Sequence, residues 1–324
     1  MNFLIIRYSS LGDVILTTPV PKNIKAADKN HRVDFLTKPE YKKVYFNNPY
    51  VDRVFTGISR RVQYDYIIDL HNSLRSNIIK YFFKGNQRIT YDKASVARRT
   101  YLHTGRRSEK LDMKVVDRYL EPLEMIEIPK KYNNPEIYLT DEEKHKVNQL
   151  TSGYEKYIAI VPGAKWPTKE WITEYYSKLI IKIIRDTNFK VIILGTLNQD
   201  KLIEQIISGT GLLKKYVKNL AGKTDFRMLA GVIEQSRILV TTDSAPLHLG
   251  CALDTDTIAF FGPTVKEFGF QPKNSKKIVV MEKNMDCRPC SLHGSKKCKY
   301  KDHACMRRIE PHTVMKKIKK ILGQ

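Results

Sequence analysis

RILVTTDSAPLHLGCALDTDTIAFFGPT, residues Arg237–Thr264, reads as strand, turn, helix and strand. Ile238, Leu239 and Val240 form a short apolar run that ends in the polar cluster Thr241-Thr242-Asp243-Ser244. Pro246 falls in a first helical turn, where its missing N–H costs little. Leu247, Leu249, Cys251, Ala252 and Leu253 continue the helix, and Ile258 to Phe261 make the next strand before Gly262-Pro263. Asp243 or Ser244 is a natural N-cap, so free backbone N–H groups and the positive helix end point out of the strand's carboxyl edge. Such a terminus suits a diphosphate, with His248 about one turn further in as an added donor. A plain capped βαβ unit carries the same pattern, so this stretch alone decides the architecture and not the ligand.

The amino terminus repeats the arrangement. Phe3-Leu4-Ile5-Ile6 is a buried-strand run, followed by Arg7-Tyr8-Ser9-Ser10-Leu11-Gly12-Asp13 and an apolar helix start. Asp13 sits at a strand-to-helix turn beside a glycine that lets another molecule approach the backbone. A cap of the following helix is the competing use for that carboxylate. Two acidic strand-end turns, one in each half, predict a ligand held between two domains.

Between these turns the first half alternates strands (Phe3–Ile6, Val33–Thr37, Val54–Phe55, Tyr66–Leu70, Arg88–Tyr91) with helical segments. Residues Ser73–Phe83 show helical apolar spacing at Leu74, Ile78, Ile79 and Phe82. Alternating β and α implies a parallel sheet covered on both faces, with ligands beyond the carboxyl ends of the strands. The pattern loosens near Asn133-Asn134-Pro135 and restarts at Tyr157–Val161, with strand Lys190–Leu194 and helices over Lys169–Arg185, Asp200–Ser208 and Asp225–Gln235. We therefore expect domains over residues 1–145 and 146–310, with a cysteine-rich insertion over 285–306. A final helix is expected over 311–324, where Val314, Ile318 and Ile321 share one stripe.

Several classes are excluded. No G-x-G-x-x-G follows a strand, and Gly222-Lys223-Thr224 lacks the first glycine of a P-loop because position 217 is Val. No stretch nears ~20 uninterrupted apolar residues. Arg7 and Asp13 break the amino-terminal apolar run, so a cytoplasmic protein without a signal peptide is expected. The formal charge is +23, from 57 Lys+Arg against 34 Asp+Glu, and it is concentrated over 75–118 and 272–324. Basic surfaces of this kind attract phosphate-bearing partners, but no zinc-finger, RNA-binding or basic-zipper signature points to nucleic acid. Cys287, Cys290, Cys298 and Cys305, spaced C-x₂-C-x₇-C-x₆-C with His293 and His303 nearby, leave two alternatives: a structural zinc, or reduced or partly paired thiols.

SSLGDVILTTP (Ser9–Pro19), PGAKWPTKEW (Pro162–Trp171) and TDSAPLHLGCALDTDTIAFFGPT (Thr242–Thr264) resemble, in order, the signature segments of the ADP-heptose:lipopolysaccharide heptosyltransferases, glycosyltransferase family 9. DLHNSLRS (Asp69–Ser76) and VDRYL (Val116–Leu120) are also similar to family segments, and heptosyltransferase II-like members carry a comparable cysteine-rich insertion. The resemblance implies an α/β GT-B fold: two Rossmann-like domains facing across a cleft, with the last helix returning to the first domain. It implies an inverting transferase that moves a heptose from ADP-heptose to a phosphorylated lipid A-core acceptor, on the anionic inner face of the inner membrane, with no cofactor required for catalysis.

Carried onto this chain, Asp13 is the expected catalytic base, and Ser10, Gly12, Arg75, Arg98 and Arg99 are on the acceptor side. Lys169, Lys165, Thr242, Asp243, Ser244, Ala245 and His248 are the expected donor-binding set. Ala245 departs from the family's usual Gly. Two other readings remain: a GT-B transferase or epimerase using another nucleotide sugar, and a non-enzymatic, basic, polyanion-binding protein.

Overall fold

The computed structural model describes residues 1–59, 61–270 and 277–324. The chain divides into two compact units. The first holds Met1–Tyr138 and also Glu267–Phe270; the second begins at Leu139 and includes the carboxyl terminus.

In the first unit the strands are β1 (Asn2–Ile6), β2 (Arg32–Leu36), β3 (Arg53–Phe55), β4 (Gln63–Asp69) and β5 (Lys84–Thr90). They form one parallel sheet in the order β3-β2-β1-β4-β5. Its helices are α1 (Leu11–Leu16), α2 (Pro19–Ala27), α3 (Leu74–Ile79), α4 (Ser95–Thr104) and α5 (Val115–Glu124). Leu4, Ile6, Leu36, Tyr64, Ile67 and Phe83 pack into one core cluster, so the central strand β1 is buried and its carboxyl end is fixed. Every strand expected in this half is present. The helix expected over Ser73–Phe83 is also there, as α3 followed by a 3₁₀ turn over Lys80–Phe82.

The second unit contains α6 (Asp141–Leu150), α7 (Thr173–Asp186), α8 (Asp200–Ser208), α9 (Phe226–Gln235), α10 (Ala245–Ala252), α11 (Ala304–Arg307) and α12 (Pro311–Leu322). Its strands are β6 (Tyr157–Val161), β7 (Lys190–Ile193), β8 (Val217–Asn219), β9 (Ile238–Thr242), β10 (Thr257–Phe260) and β11 (Ile278–Met281), parallel in the order β11-β10-β9-β6-β7-β8. Strands β8 and β11 were not foreseen. On α7, Tyr176, Leu179, Ile180 and Ile183 recur at helical spacing and enter the core. Gly250 lets α10 approach the sheet, since a Cβ there would lie 2.5 Å from Thr257 Oγ1.

Two expectations about the domains are corrected. The boundary falls at 138/139, before α6 and not after it. Glu143 of α6 takes a two-pronged ion pair from Arg227 of α9, at 2.7 Å for each nitrogen, and Val147 packs over Gly231. The last helix does not spend its apolar stripe on the first domain. Val314, Met315 and Ile318 join the core of Trp171, Tyr176 and Ile180, Trp171 Nε1 donates to Ile309 O at 2.9 Å, and Lys319 pairs with Asp186 of α7 at 3.1 Å. Among the described residues, no helix is long and apolar enough to cross a membrane.

Candidate active site

The turn after β1 ends in a carboxylate held by four donors, three on Oδ2 and one on Oδ1. Asp13, at the third position of α1, accepts the Ser10 backbone N–H at 3.1 Å, as one half of a capping box. Its Oδ2 also takes the Ser10 hydroxyl at 2.8 Å and Arg7 Nη2 at 2.8 Å, while Oδ1 takes the Tyr119 hydroxyl of α5 at 2.8 Å. The cap anticipated as a competing use is therefore realised, and Asp13 carries more besides. Burial pushes its pKa up, but Arg7, Ser10 and Tyr119 overcome that and hold it well below the usual carboxylate range.

Arg7 is buried, and Nη1 is fixed by Leu70 O at 2.6 Å and the Tyr91 hydroxyl at 3.3 Å. His71, whose imidazole burial and then the Arg7 charge push down to about 4, lies edge-on to Tyr8. Arg7, Tyr119, Tyr91 and His71 were not singled out from the sequence. Only the likeness of Val116–Leu120 to a family segment pointed toward Tyr119.

Of the expected acceptor residues, Ser10 touches Asp13, and Gly12 is buried inside α1. Arg98 belongs to the same neighbourhood: burial lowers its pKa, while Tyr119, Tyr91 and Asp13 oppose that, and its Nε is buried without a partner. Arg75 lies with its guanidinium carbon 5.2 Å from the Tyr8 ring centre. Arg99, one residue beyond Arg98, is exposed and is not brought to Asp13.

In the second unit the turn after β9 is built around another buried carboxylate. Asp243 is 5% exposed; Lys169 Nζ donates to its Oδ2 at 2.6 Å and to its backbone O at 2.9 Å, and Thr264 Oγ1 donates to Oδ2 at 2.6 Å. Burial raises the Asp243 pKa, and Lys169, Thr264 and His248 together bring it below its ordinary value. Ser244, not Asp243, is the N-cap residue of α10, and Ala245 is its first helical residue. Thr242 Oγ1 bonds Ser244 Oγ at 3.0 Å. His248 is buried on α10, one turn in. Lys165 does not join the group: it is exposed and lies over the Trp166 ring at 5.8 Å.

The cysteine-rich segment braces this site. Ser295 and Thr168 exchange hydrogen bonds, Ser295 N–H to Thr168 Oγ1 at 2.8 Å and Thr168 Oγ1 to Ser295 O at 2.9 Å, and His303 Nε2 donates to Thr168 O at 2.8 Å, next to Lys169. Arg288 donates to Gly262 O, to Thr264 O at 2.8 Å and to Glu282 at 3.0 Å, which fixes the loop that presents Thr264 to Asp243. Arg288→Ala would orphan those carbonyls, at about 1–3 kcal/mol each where buried. We expect a lower melting temperature, read by thermal unfolding of the two proteins; an unchanged one would show that these contacts do not hold the loop.

All five cysteines are free thiols. Burial raises the Cys290 and Cys305 pKa values, that of Cys305 to about 11; Cys287 and Cys298 add to the rise at Cys290, and Cys290, Cys287 and Cys298 to that at Cys305. Among the described residues, however, no three His, Cys, Asp or Glu side chains stand close enough together to hold a metal ion.

Two Rossmann-like parallel sheets, each with a braced acidic turn at the carboxyl end of a strand, are the elements of the GT-B fold class. The family model for glycosyltransferase family 9 (heptosyltransferase) matches residues 58–301, and the chain belongs to that family. It is 28% identical over 311 residues to the lipooligosaccharide heptosyltransferase 2 of Haemophilus influenzae, covering 87% of this chain and 88% of the relative. It is 25% identical over 331 residues to the protein of that name from Campylobacter jejuni, covering 96% and 95%. The solved structure of E. coli ADP-heptose LPS heptosyltransferase II superposes with a TM-score of 0.77 at 20% identity, covering 99% of this chain and 98% of the other, and supports the fold.

Proposed function

We propose that the enzyme is an inverting heptosyltransferase that transfers a heptose from ADP-heptose to the inner core of a phosphorylated lipopolysaccharide acceptor, working at the anionic inner face of the inner membrane. The observation that carries this reading is the likeness to lipooligosaccharide heptosyltransferase 2 proteins along nearly the whole chain. In the transfer, an acceptor hydroxyl oxygen bonds to the anomeric carbon, the bond from that carbon to the diphosphate breaks, and ADP departs with the electron pair. Asp13 receives the hydroxyl proton. Its low proton affinity suits a late transfer, because the hydroxyl acidifies only as its oxygen bonds to the electron-poor carbon; Arg7 and Tyr119 keep the carboxylate charged and aimed.

Lys169 and the N-terminus of α10 offset the charge of the leaving diphosphate. Asp243 Oδ2 is held by Lys169 and Thr264, and through that contact Asp243 positions the lysine for the donor. Arg98 and Arg75 present guanidinium groups to acceptor phosphates or carboxylates. No metal is assigned a part in the chemistry.

The test is to mix the purified protein with ADP-heptose and heptose-deficient lipooligosaccharide, following ADP release and the mass gained by the acceptor. Both should appear together. Epimerised sugar without acceptor would instead establish an epimerase, and salt-sensitive polyanion binding without turnover a binding protein.

A further inference from the structure

α3 and the 3₁₀ turn that follows it pack Ile79 against the core cluster and leave their other large apolar side chains to solvent. The only residue α3 buries is the polar Ser76. Leu74 is 81% exposed, Ile78 54% and Tyr81 68%. The i, i+4 spacing of Leu74 and Ile78 puts both on one face of α3, and Tyr81 is exposed in the 3₁₀ turn that follows. Phe83, directly after the turn, is buried in the core and anchors the segment with that face outward.

Exposed cations flank the face, Arg75 on α3 and Lys84 after the turn, while Lys80 and Arg88 beside the Tyr81 ring turn inward, Lys80 Nζ to Asn77 and Thr90 and Arg88 to the carbonyls of Lys80, Phe83 and Gly85. From Leu70 to Ser108 the chain has 9 Lys/Arg and one acid, Asp92, which is paired with Lys110.

We propose that the outward face of Leu74, Ile78 and Tyr81 is a membrane-docking surface that seats on anionic phospholipid. This rests on the lipid-linked acceptor of the proposed function and adds the surface that meets the lipid. Large apolar side chains on one face with flanking Lys and Arg match a helix lying in the headgroup region, where apolar insertion and attraction to anionic lipid act together. A second copy of the chain is disfavoured, because an isologous contact would bring this cationic region against itself. A nucleic acid would use the cations and leave the apolar face in water.

The placement also serves catalysis. Arg75, on the same helix, stacks over Tyr8, which follows Arg7 in the turn that leads to Asp13. An acceptor held in the lipid surface would thus present its headgroup sugars beside the catalytic carboxylate.

The experiment is co-sedimentation of the full chain with phosphatidylcholine vesicles and with vesicles that also contain phosphatidylglycerol, without donor or acceptor. Wild type should partition onto the anionic vesicles and little onto the neutral ones. Leu74→Ser with Ile78→Ser should weaken that partition at least about tenfold at fixed salt, since burying two such side chains is worth more than one decade. Both residues are exposed, so the double variant should melt like wild type, and Leu212→Ser, at a residue 92% exposed in the second unit, should bind like wild type. Unchanged vesicle binding by the double variant would overturn the proposal, as would light scattering that shows a dimer which the double variant dissolves. Because no transfer is read, failure here leaves the heptosyltransferase reading standing. Failure of transfer with vesicle binding intact would sink only that reading.

Discussion

Asp13→Asn should cut turnover by about 10²–10⁴-fold, the usual worth of a general base, while ADP binding in the second unit stays as in wild type. The substitution should also destabilise the first unit, because it leaves buried Arg7 without its anionic partner. Removing one member of a fully buried pair costs about 3–5 kcal/mol. Here the Asp13 side chain keeps 18% exposure, and Arg7 retains Leu70 O and the Tyr91 hydroxyl, so roughly 1–3 kcal/mol is expected.

The pH dependence has a definite sign. The folded-state pKa of Asp13 is depressed below its unfolded value, so the carboxylate's contribution is fully present above about pH 4 and is lost as pH falls toward the folded value. Urea denaturation of the two proteins should show a constant gap from about pH 8 to pH 5 that narrows in acid. Turnover near wild type would remove Asp13 from the chemistry. A gap that did not narrow below about pH 4 would show that the lost stability comes from packing and not from the charge.

The acidic turns were legible because their signals are local. A buried apolar run, a polar cluster and a proline or glycine at the helix start identify β1–α1 and β9–α10 within a dozen residues each. What surrounds those turns is not local. Tyr119 reaches Asp13 across 106 positions of sequence, and Arg288 reaches Gly262 across 26, so neither partner could be paired from spacing.

Periodicity also states which residues share a face without stating where the face looks. Leu74 and Ile78 have the spacing of a core helix and look outward, whereas Val314 and Ile318 have it and look into the second unit. Asp243 illustrates the same limit in a turn. Either it or Ser244 is an N-cap by residue type; the helix starts after Ser244, whose side chain makes no capping bond, while the Asp243 carboxylate is held by Lys169, 74 residues away.

That lysine–aspartate pair gives the second large effect. Lys169→Ala should abolish donor use and also destabilise the second unit by about 3–5 kcal/mol, since it strands a carboxylate that is only 5% exposed. Asp243→Asn should cost less, because Lys169 is on the more exposed side of the pair, at 13%, and the amide still accepts from Thr264. If Asp243 acts by positioning the lysine, the double variant Lys169→Met with Asp243→Asn has no buried charge left to strand. It should therefore recover most of the stability lost in Lys169→Ala, in keeping with the near-neutral replacement of whole buried pairs.

Activity should not recover with it, because the leaving diphosphate would still lack its cation, an interaction worth roughly 3–4 kcal/mol in comparable preorganised sites. Thermal unfolding and steady-state ADP release on wild type, Lys169→Met, Asp243→Asn and the double variant complete the cycle, Lys169→Met being expected to strand the carboxylate as Lys169→Ala does. A double variant that regained turnover along with stability would mean that Lys169 serves the fold alone, and that the charge of the departing diphosphate is met entirely by the amino end of α10.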